Sequence, residues 1–395
     1  MKRIAIIAIL LAACDYARID PMTAGDGPPG DDAATSDATD DASMLDAADA
    51  PADAPADAPA DAPADAPTDA GPVDAPACVA SSRRCAGNDV EQCTGGAWTL
   101  LQQCANLCSQ GGCVTPASCS GGVATCGASG NDTCCRSLPV AGGTFRRSYD
   151  GVSSGYTDDR YQATLSGFHL DKYEVSVARF NAFVAAYPGS KPADGTGRNP
   201  SDASDTGWRG AWTPLLPATQ ADLMASLSCE SVSAQTATHP VRCVSWYVAQ
   251  AFCIWDGGRL PTEAEWNYAA SGGSMQRVYP WSMPATSTSI SSANAIYGVA
   301  GPARPGLLSP AGDGRFGQSD LAGNVWEWVY DNYATPYPTE TCVDCANHTA
   351  ASFRGNRGGA YSTPASLLLT SLRGSLDPAM TRAAIGFRCA RNPLP

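Results

Sequence analysis

Apolar and polar positions divide this chain into stretches of different kind. An apolar run from Ile4 to Ala13 follows Lys2 and Arg3 and is too short to span a bilayer. From Asp15 to Pro76 neither a helical nor a strand period is present, and Pro-Ala-Asp-Ala repeats from Pro51 to Asp65. Beyond Val140 the pattern becomes that of a folded domain. Ala163–Val175 alternates loosely and predicts strands. Ser176 is placed to cap a helix with Val177, Phe180, Phe183, Val184 and Tyr187 on one face. His239–Trp246 predicts a strand leading into a second helix, capped by Ser245 and running to Trp255 before Gly257-Gly258. Behind Pro261, Thr262 and Glu265 form a capping box, which gives the conspicuous Glu263 and Glu265 a structural rather than a catalytic account. Trp326 and Trp328 stand two apart, as buried anchors on one face of a strand. Between these elements, Gly189–Gln235 is polar and irregular; its Trp208 and Trp212 are expected to seal a long loop onto the body, the alternative being that they line a ligand cleft.

Composition changes the picture at the start of the chain. The 395 residues allow two or three domains, and a hydrophobic content of 44% supports a core in at least one of them. The formal charge of -14 is concentrated, because residues 15–76 contain sixteen Asp against one Arg; from Ala77 onward the net charge is -1. Nothing there suggests a nucleic-acid surface. The Asp/Ala/Pro segment 15–76 cannot bury enough apolar surface to offset its ordering entropy and reads as an extended, self-repelling stalk. Met1-Lys-Arg, the apolar run and Leu11-Ala-Ala-Cys14 resemble a bacterial lipoprotein signal covering residues 1–14. That resemblance implies a lipid anchor on Cys14 and an exported protein held at a membrane of the cell envelope.

Cysteine usage fits export. Of seventeen cysteines, sixteen remain after Cys14, and ten of them lie between Cys78 and Cys135. An even number in an oxidising compartment predicts disulfides. Segment 77–135 is expected to be a small module held by such bridges. No histidine lies within it, so zinc is not expected.

The chemistry-bearing stretch is Asp320-Leu-Ala-Gly-Asn-Val-Trp-Glu-Trp328, which places two carboxylates beside a Gly-Asn turn, a pattern suited to a hard cation such as calcium. With Gly258-Arg-Leu-Pro-Thr-Glu-Ala-Glu-Trp-Asn-Tyr-Ala-Ala270 and Gly386-Phe-Arg-Cys389, it resembles the sulfatase-modifying-factor domain, the family of the formylglycine-generating enzyme. The resemblance runs from about Val140 to Arg391, opening at Val140-Ala-Gly-Gly-Thr-Phe145, and defines a domain over residues 140–393. It implies an α+β fold related to C-type lectins, with much irregular structure held by calcium and disulfides. It implies the pair Cys253–Cys389, and Cys229–Cys243 and Cys342–Cys345 are expected beside it. One calcium would use Asp320, the Gly323 and Val325 carbonyls and Glu327. Asn294 and Ala295 match half of a second site, whose other half falls in a shortened loop around Gly301–Pro310. The resemblance also implies that Glu174 is a hydrogen-bond acceptor, while His169 is expected to be a packing or surface histidine.

Active members of that family oxidise a cysteine with one copper(I) held between two cysteines, soft ligands for a soft ion. Counting from Arg357-Gly-Gly, those places fall on Thr363 and Leu368, and no cysteine lies between Cys345 and Cys389. Copper is therefore not expected. The chain holds only His169, His239 and His348 for an iron site of the kind used by sulfoxide-forming relatives. The expected function is a non-catalytic binding module at the cell envelope, taking an unknown envelope or secreted ligand. The alternative is a divergent oxidoreductase of the same family acting on protein or small-molecule thiols.

Overall fold

The computed structural model describes residues 78–122, 124–230 and 235–392. The segments expected to be a signal and a stalk, with Cys14, lie outside the described residues. Residues 78–114 carry β1 (Arg83–Ala86), β2 (Asp89–Thr94) and β3 (Ala97–Gln103), an antiparallel sheet, followed by the hairpin of β4 (Leu107–Ser109) and β5 (Gly112–Val114). Cys78–Cys93, Cys85–Cys108 and Cys104–Cys113 staple this unit. Few apolar side chains are enclosed, with Val90 and Leu107 the non-cysteine members, so covalent links replace a core. The remaining four of the ten cysteines pair separately, as Cys119–Cys135 and Cys126–Cys134. Segment 77–135 thus divides into two disulfide clusters. The second, with β6 (Ala124–Cys126) and β7 (Asp132–Thr133), is bonded directly to the main domain.

That domain is α+β. β11 (Phe168–Asp171) pairs with β8 (Ser137–Val140) on one side and the C-terminal β17 (Ala390–Arg391) on the other, and β10 (Gln162–Leu165) lies likewise between β9 (Gly143–Arg146) and β13 (Thr341–Val343). A four-stranded sheet runs in the order β15 (Gly374–Leu376), β14 (Arg354–Arg357), β12 (Trp326–Asn332), β16 (Ile385–Gly386). Helices are short: α1 (Val177–Ala186), α2 (Gln220–Ser226), α3 (Trp246–Trp255) and α4 (Glu263–Ala270). No helix among the described residues is long and apolar enough to cross a membrane.

The helix starts follow their capping signals. Ser176 accepts from the Arg179 amide and Ser245 from the Val248 amide, and the Thr262–Glu265 capping box closes reciprocally. Phe180 and Phe183 of α1 meet Phe252 of α3 at ring separations of 5.5 and 5.6 Å, and Phe387 completes the cluster. Cys253–Cys389 fixes α3 to the chain leading into β17; Cys229–Cys243 and Cys342–Cys345 are also bonded. Three features differ from the sequence pattern, the first being that no strand forms directly before α3 among the described residues, where only the isolated Ser176–Pro240 bridge is made. β12 is buried at all seven positions, not on one face only, because β14 and β16 flank it while α3 and α4 cover it. The polar loop contains α2, whose Thr219–Asp222 capping box is legible in the sequence once sought. Trp208 and Trp212 of that loop are buried and meet edge to face.

Several buried carboxylates are matched by arginines. Arg179 and Arg391 share Asp171 and Asp256, and Glu265 pairs with Arg259. Arg179 also reaches the Ser118 hydroxyl and the Cys134 carbonyl, welding the second disulfide cluster to α1. Glu263 takes Arg373 in a two-pronged clasp and Arg357 beside it. Glu263 and Glu265 are thus fastenings between elements.

Candidate functional site

The loop before β12 turns through three left-handed residues, Asp320 (φ 57°), Gly323 (φ 90°) and Asn324 (φ 58°). At Gly323 a side chain is excluded, since a Cβ would lie 2.5 Å from the Ile296 carbonyl oxygen. The turn brings Asp320, Glu327 and Glu174 of the β11–α1 connection together around one guanidinium, that of Arg388. Arg388 clasps Glu327 through Nε and Nη2 at 2.7 and 2.6 Å, and Trp266 Nε1 adds a third donor at 2.8 Å. Glu174, fully buried, accepts from Asn324 Nδ2 at 2.6 Å and from the Val325 amide at 3.2 Å. Asp320 accepts from the Gly306 amide.

Three buried carboxylates thus share one cation. Burial, with Asp320 and Glu327 nearby, holds the Glu174 carboxyl well above the usual carboxylate range. Burial also pushes Asp320 up to about 6, against the opposing pull of the Gly306 amide and Arg388. Gln318, two residues earlier, is fully buried with neither amide atom hydrogen-bonded. Excess negative charge and spare acceptor oxygen both fit a hard cation at Asp320 and the neighbouring carbonyls of Gly323 and Val325.

Glu327 does not fit the role that the resemblance implies for it. Both its oxygens face N–H donors, which leaves Glu327 a strut between β12 and Arg388 rather than a free calcium ligand. Among the described residues no three His, Cys, Asp or Glu side chains converge as a metal set. The second site fits less well. Asn294 turns its Nδ2 donor toward the Ala311 carbonyl and engages its Oδ1 with the Ser291 hydroxyl. Gly312 packs against the Asn294 carbonyl so closely that a Cβ would lie 2.2 Å from it. The Ala295 amide is bonded within the same turn to Ser291.

At the copper positions the chemistry is apolar. Thr363 is buried, and its hydroxyl closes a turn on Ala360, donating to the carbonyl at 2.8 Å and accepting from the amide at 3.0 Å. Leu368 is fully buried in a cluster with Val278, Tyr279, Ala295 and Ala322. All sixteen cysteines among the described residues are in disulfides, so none offers a thiolate. Around this cluster lie the half-buried Trp281 and Tyr297. Tyr279 and Trp281 stack 5.3 Å apart at an interplanar angle of 4°, and Met283 is 71% exposed beyond them. The histidines are dispersed. His169 is buried in β11 against the disulfide unit, donating to the Gly87 backbone, and burial lowers its pKa to about 4. His348 meets Asp202 at 2.8 Å in the loop region, and His239 precedes α3.

The sequence profile of the sulfatase-modifying factor enzyme 1-like domain matches residues 124–393. The match begins inside the second disulfide cluster, consistent with the bonding of that cluster to α1. The formylglycine-generating enzyme of Mus musculus is 33% identical over 168 residues, 40% of this chain and 45% of that protein. That of Streptomyces coelicolor is 36% identical over 169 residues, 39% and 53% respectively. Hercynine oxygenase of Mycolicibacterium smegmatis is 29% identical over 168 residues, 38% and 37%. The chain spans about half the length of the formylglycine-generating enzymes it matches. Among solved structures, PvdO from Pseudomonas aeruginosa aligns with a TM-score of 0.47 at 22% identity, covering 65% of this chain and 94% of that one. With the profile extending over most of the described residues, the chain belongs to the sulfatase-modifying factor enzyme 1-like family.

Proposed function

We propose that this family domain is a non-catalytic binding module, carried at the cell envelope on the 15–76 stalk and anchored through Cys14. The observation that carries the reading is the state of the two copper places. Thr363 spends its hydroxyl on its own turn and Leu368 is sealed in an apolar cluster, so no soft donor faces the position where copper(I) chemistry would require two. The scaffold around it is kept, with Trp281 and Tyr297 half-exposed at the same face, which suits contact with a ligand better than redox chemistry. Calcium at Asp320, with the Gly323 and Val325 carbonyls, belongs to this proposal as a structural ion. Incubating the oxidised, copper-supplied protein with a Cys-x-Pro-x-Arg peptide tests it by mass spectrometry. The thiol is expected to survive while an active formylglycine-generating enzyme converts it alongside; appearance of the aldehyde would overturn the reading.

A further inference from the structure

Most arginines buried in this domain have a carboxylate or several carbonyls to hold. Arg373 and Arg388 present the Nε–Nη2 edge of the guanidinium to Glu263 and Glu327, a side-on clasp with two parallel hydrogen bonds. Arg354, at the start of β14, does not. It is only 8% exposed, and its one side-chain hydrogen bond among the described residues runs from Nη1 to the Tyr330 carbonyl, at 2.6 Å. Among the described residues it forms no ion pair, and its Nε–Nη2 edge has no partner. That edge is not sealed. The Nε of Arg277 and that of Arg242 are enclosed without a partner, whereas no Arg354 atom is, so its free donors keep a path to solvent.

The surroundings are aromatic and positive. The Arg354 guanidinium lies 3.7 Å from the Trp246 ring centre, 5.4 Å from that of Trp212 and 5.9 Å from that of Tyr330. Arg209, exposed and with a guanidinium that forms no hydrogen bond or ion pair among the described residues, lies 5.3 Å from the same Trp212 ring. Two unpaired guanidinium groups therefore converge on one tryptophan, although like charges repel. Burial and Arg209 together bring the Arg354 pKa down to about 10, the neighbouring tyrosines and Asp331 only partly opposing them. Asp331 is itself engaged by the Glu263 and Asn347 amides.

We propose that the Nε–Nη2 edge of Arg354, with Arg209 as a second positive charge, binds the carboxylate group of an exogenous ligand on this aromatic floor. A planar carboxylate matches the open edge as Glu263 and Glu327 match theirs, and a single negative charge costs less to desolvate there than a phosphate dianion. The site stands on β14, α3 and the long loop, so it is independent of the copper-face reading.

The test titrates the disulfide-intact protein with glucuronate, acetate, glucose and inorganic phosphate, following tryptophan fluorescence. Saturable responses to glucuronate and acetate, with none to glucose, are expected. Tighter binding of glucuronate than of acetate would assign a sugar acid as the source of the carboxylate, and equal binding a simple acid. Arg354→Lys, which keeps the charge but loses the fork, should weaken binding roughly tenfold. Arg209→Ala, at an exposed position, should weaken it by about threefold with an unchanged melting temperature, whatever Arg354→Lys does to folding. An equal response to glucose, a tighter one to phosphate, no saturable response to either acid, or binding unaltered in Arg209→Ala would overturn the proposal.

Discussion

Glu327 and Asp320 lie in one motif yet meet different fates, and the difference is set by their neighbours. Glu327 is matched by Arg388 and by Trp266. Removing one partner of such a buried pair leaves an uncompensated charge, so Arg388→Ala should cost about 3 to 5 kcal/mol in chemical denaturation. Asp320 has no matching cation. Its folded pKa of about 6 lies above the ordinary carboxylate value, so ionisation opposes folding as pH rises from about 4 to about 6, and the penalty persists above that range. An ion that binds the folded state relieves it by mass action. Calcium should therefore raise the melting temperature clearly at pH 7.5 and little at pH 5, and Asp320→Asn should abolish the difference. A transition indifferent to chelation at pH 7.5 would remove calcium from this loop. The Asp-x-x-Gly-Asn spacing made the turn and the carboxylates legible. That Arg388 already occupies Glu327 was not, because the two residues are far apart in sequence and only β12 and the segment after β16 bring them together.

At the scale of elements, the caps and the disulfides divide the work. Local signals placed α1, α3 and α4 correctly, since a capping hydroxyl and a 3.6-residue apolar period act within a few residues. Thr219→Ala should cost about 1 kcal/mol by removing the α2 cap, read as faster amide exchange in α2 and not elsewhere. Cys253–Cys389 acts over a sequence separation of 136. On chain-entropy grounds, replacing both cysteines by alanine should cost about 5 kcal/mol of global stability. If the loss proved no larger than for the Cys342–Cys345 pair, at a separation of 3, the entropic account would fail here. The complete burial of β12 escaped sequence reading because Glu327, Asp331 and Asn332 look like solvent-facing residues. Arg388 satisfies the Glu327 carboxylate, the Glu263 and Asn347 amides satisfy that of Asp331, and Asn347 Nδ2 donates to the Asn332 backbone carbonyl.

Across the whole molecule, the disulfide units and the main domain form one continuous structure. Asn88 reaches the carbonyls of Asn106 and Ser137, and His169 meets Gly87. Burial lowers His169 in the folded state to about 4, below its unfolded value of about 6.5. Its contribution is thus complete above pH 6.5 and lost as pH falls toward 4. Acidification should loosen the 78–114 unit first, visible as earlier amide exchange at Gly87 and neighbouring β1–β2 positions, and His169→Gln should flatten that dependence.

Local rules and covalent chemistry lie in the sequence itself. The capping residues, the acidic Asp/Ala/Pro stretch, the even cysteine count, the family motifs and the absence of cysteine at Thr363 and Leu368 are all one-dimensional facts. Their physical causes act over a few residues or follow directly from composition. Which cysteines in 78–135 pair, which carboxylates are neutralised and which arginine edge is left open were decided only by the fold. Those outcomes depend on burial and on partners up to hundreds of residues away, and electrostatic cost in a low-dielectric interior exists only once the interior has formed.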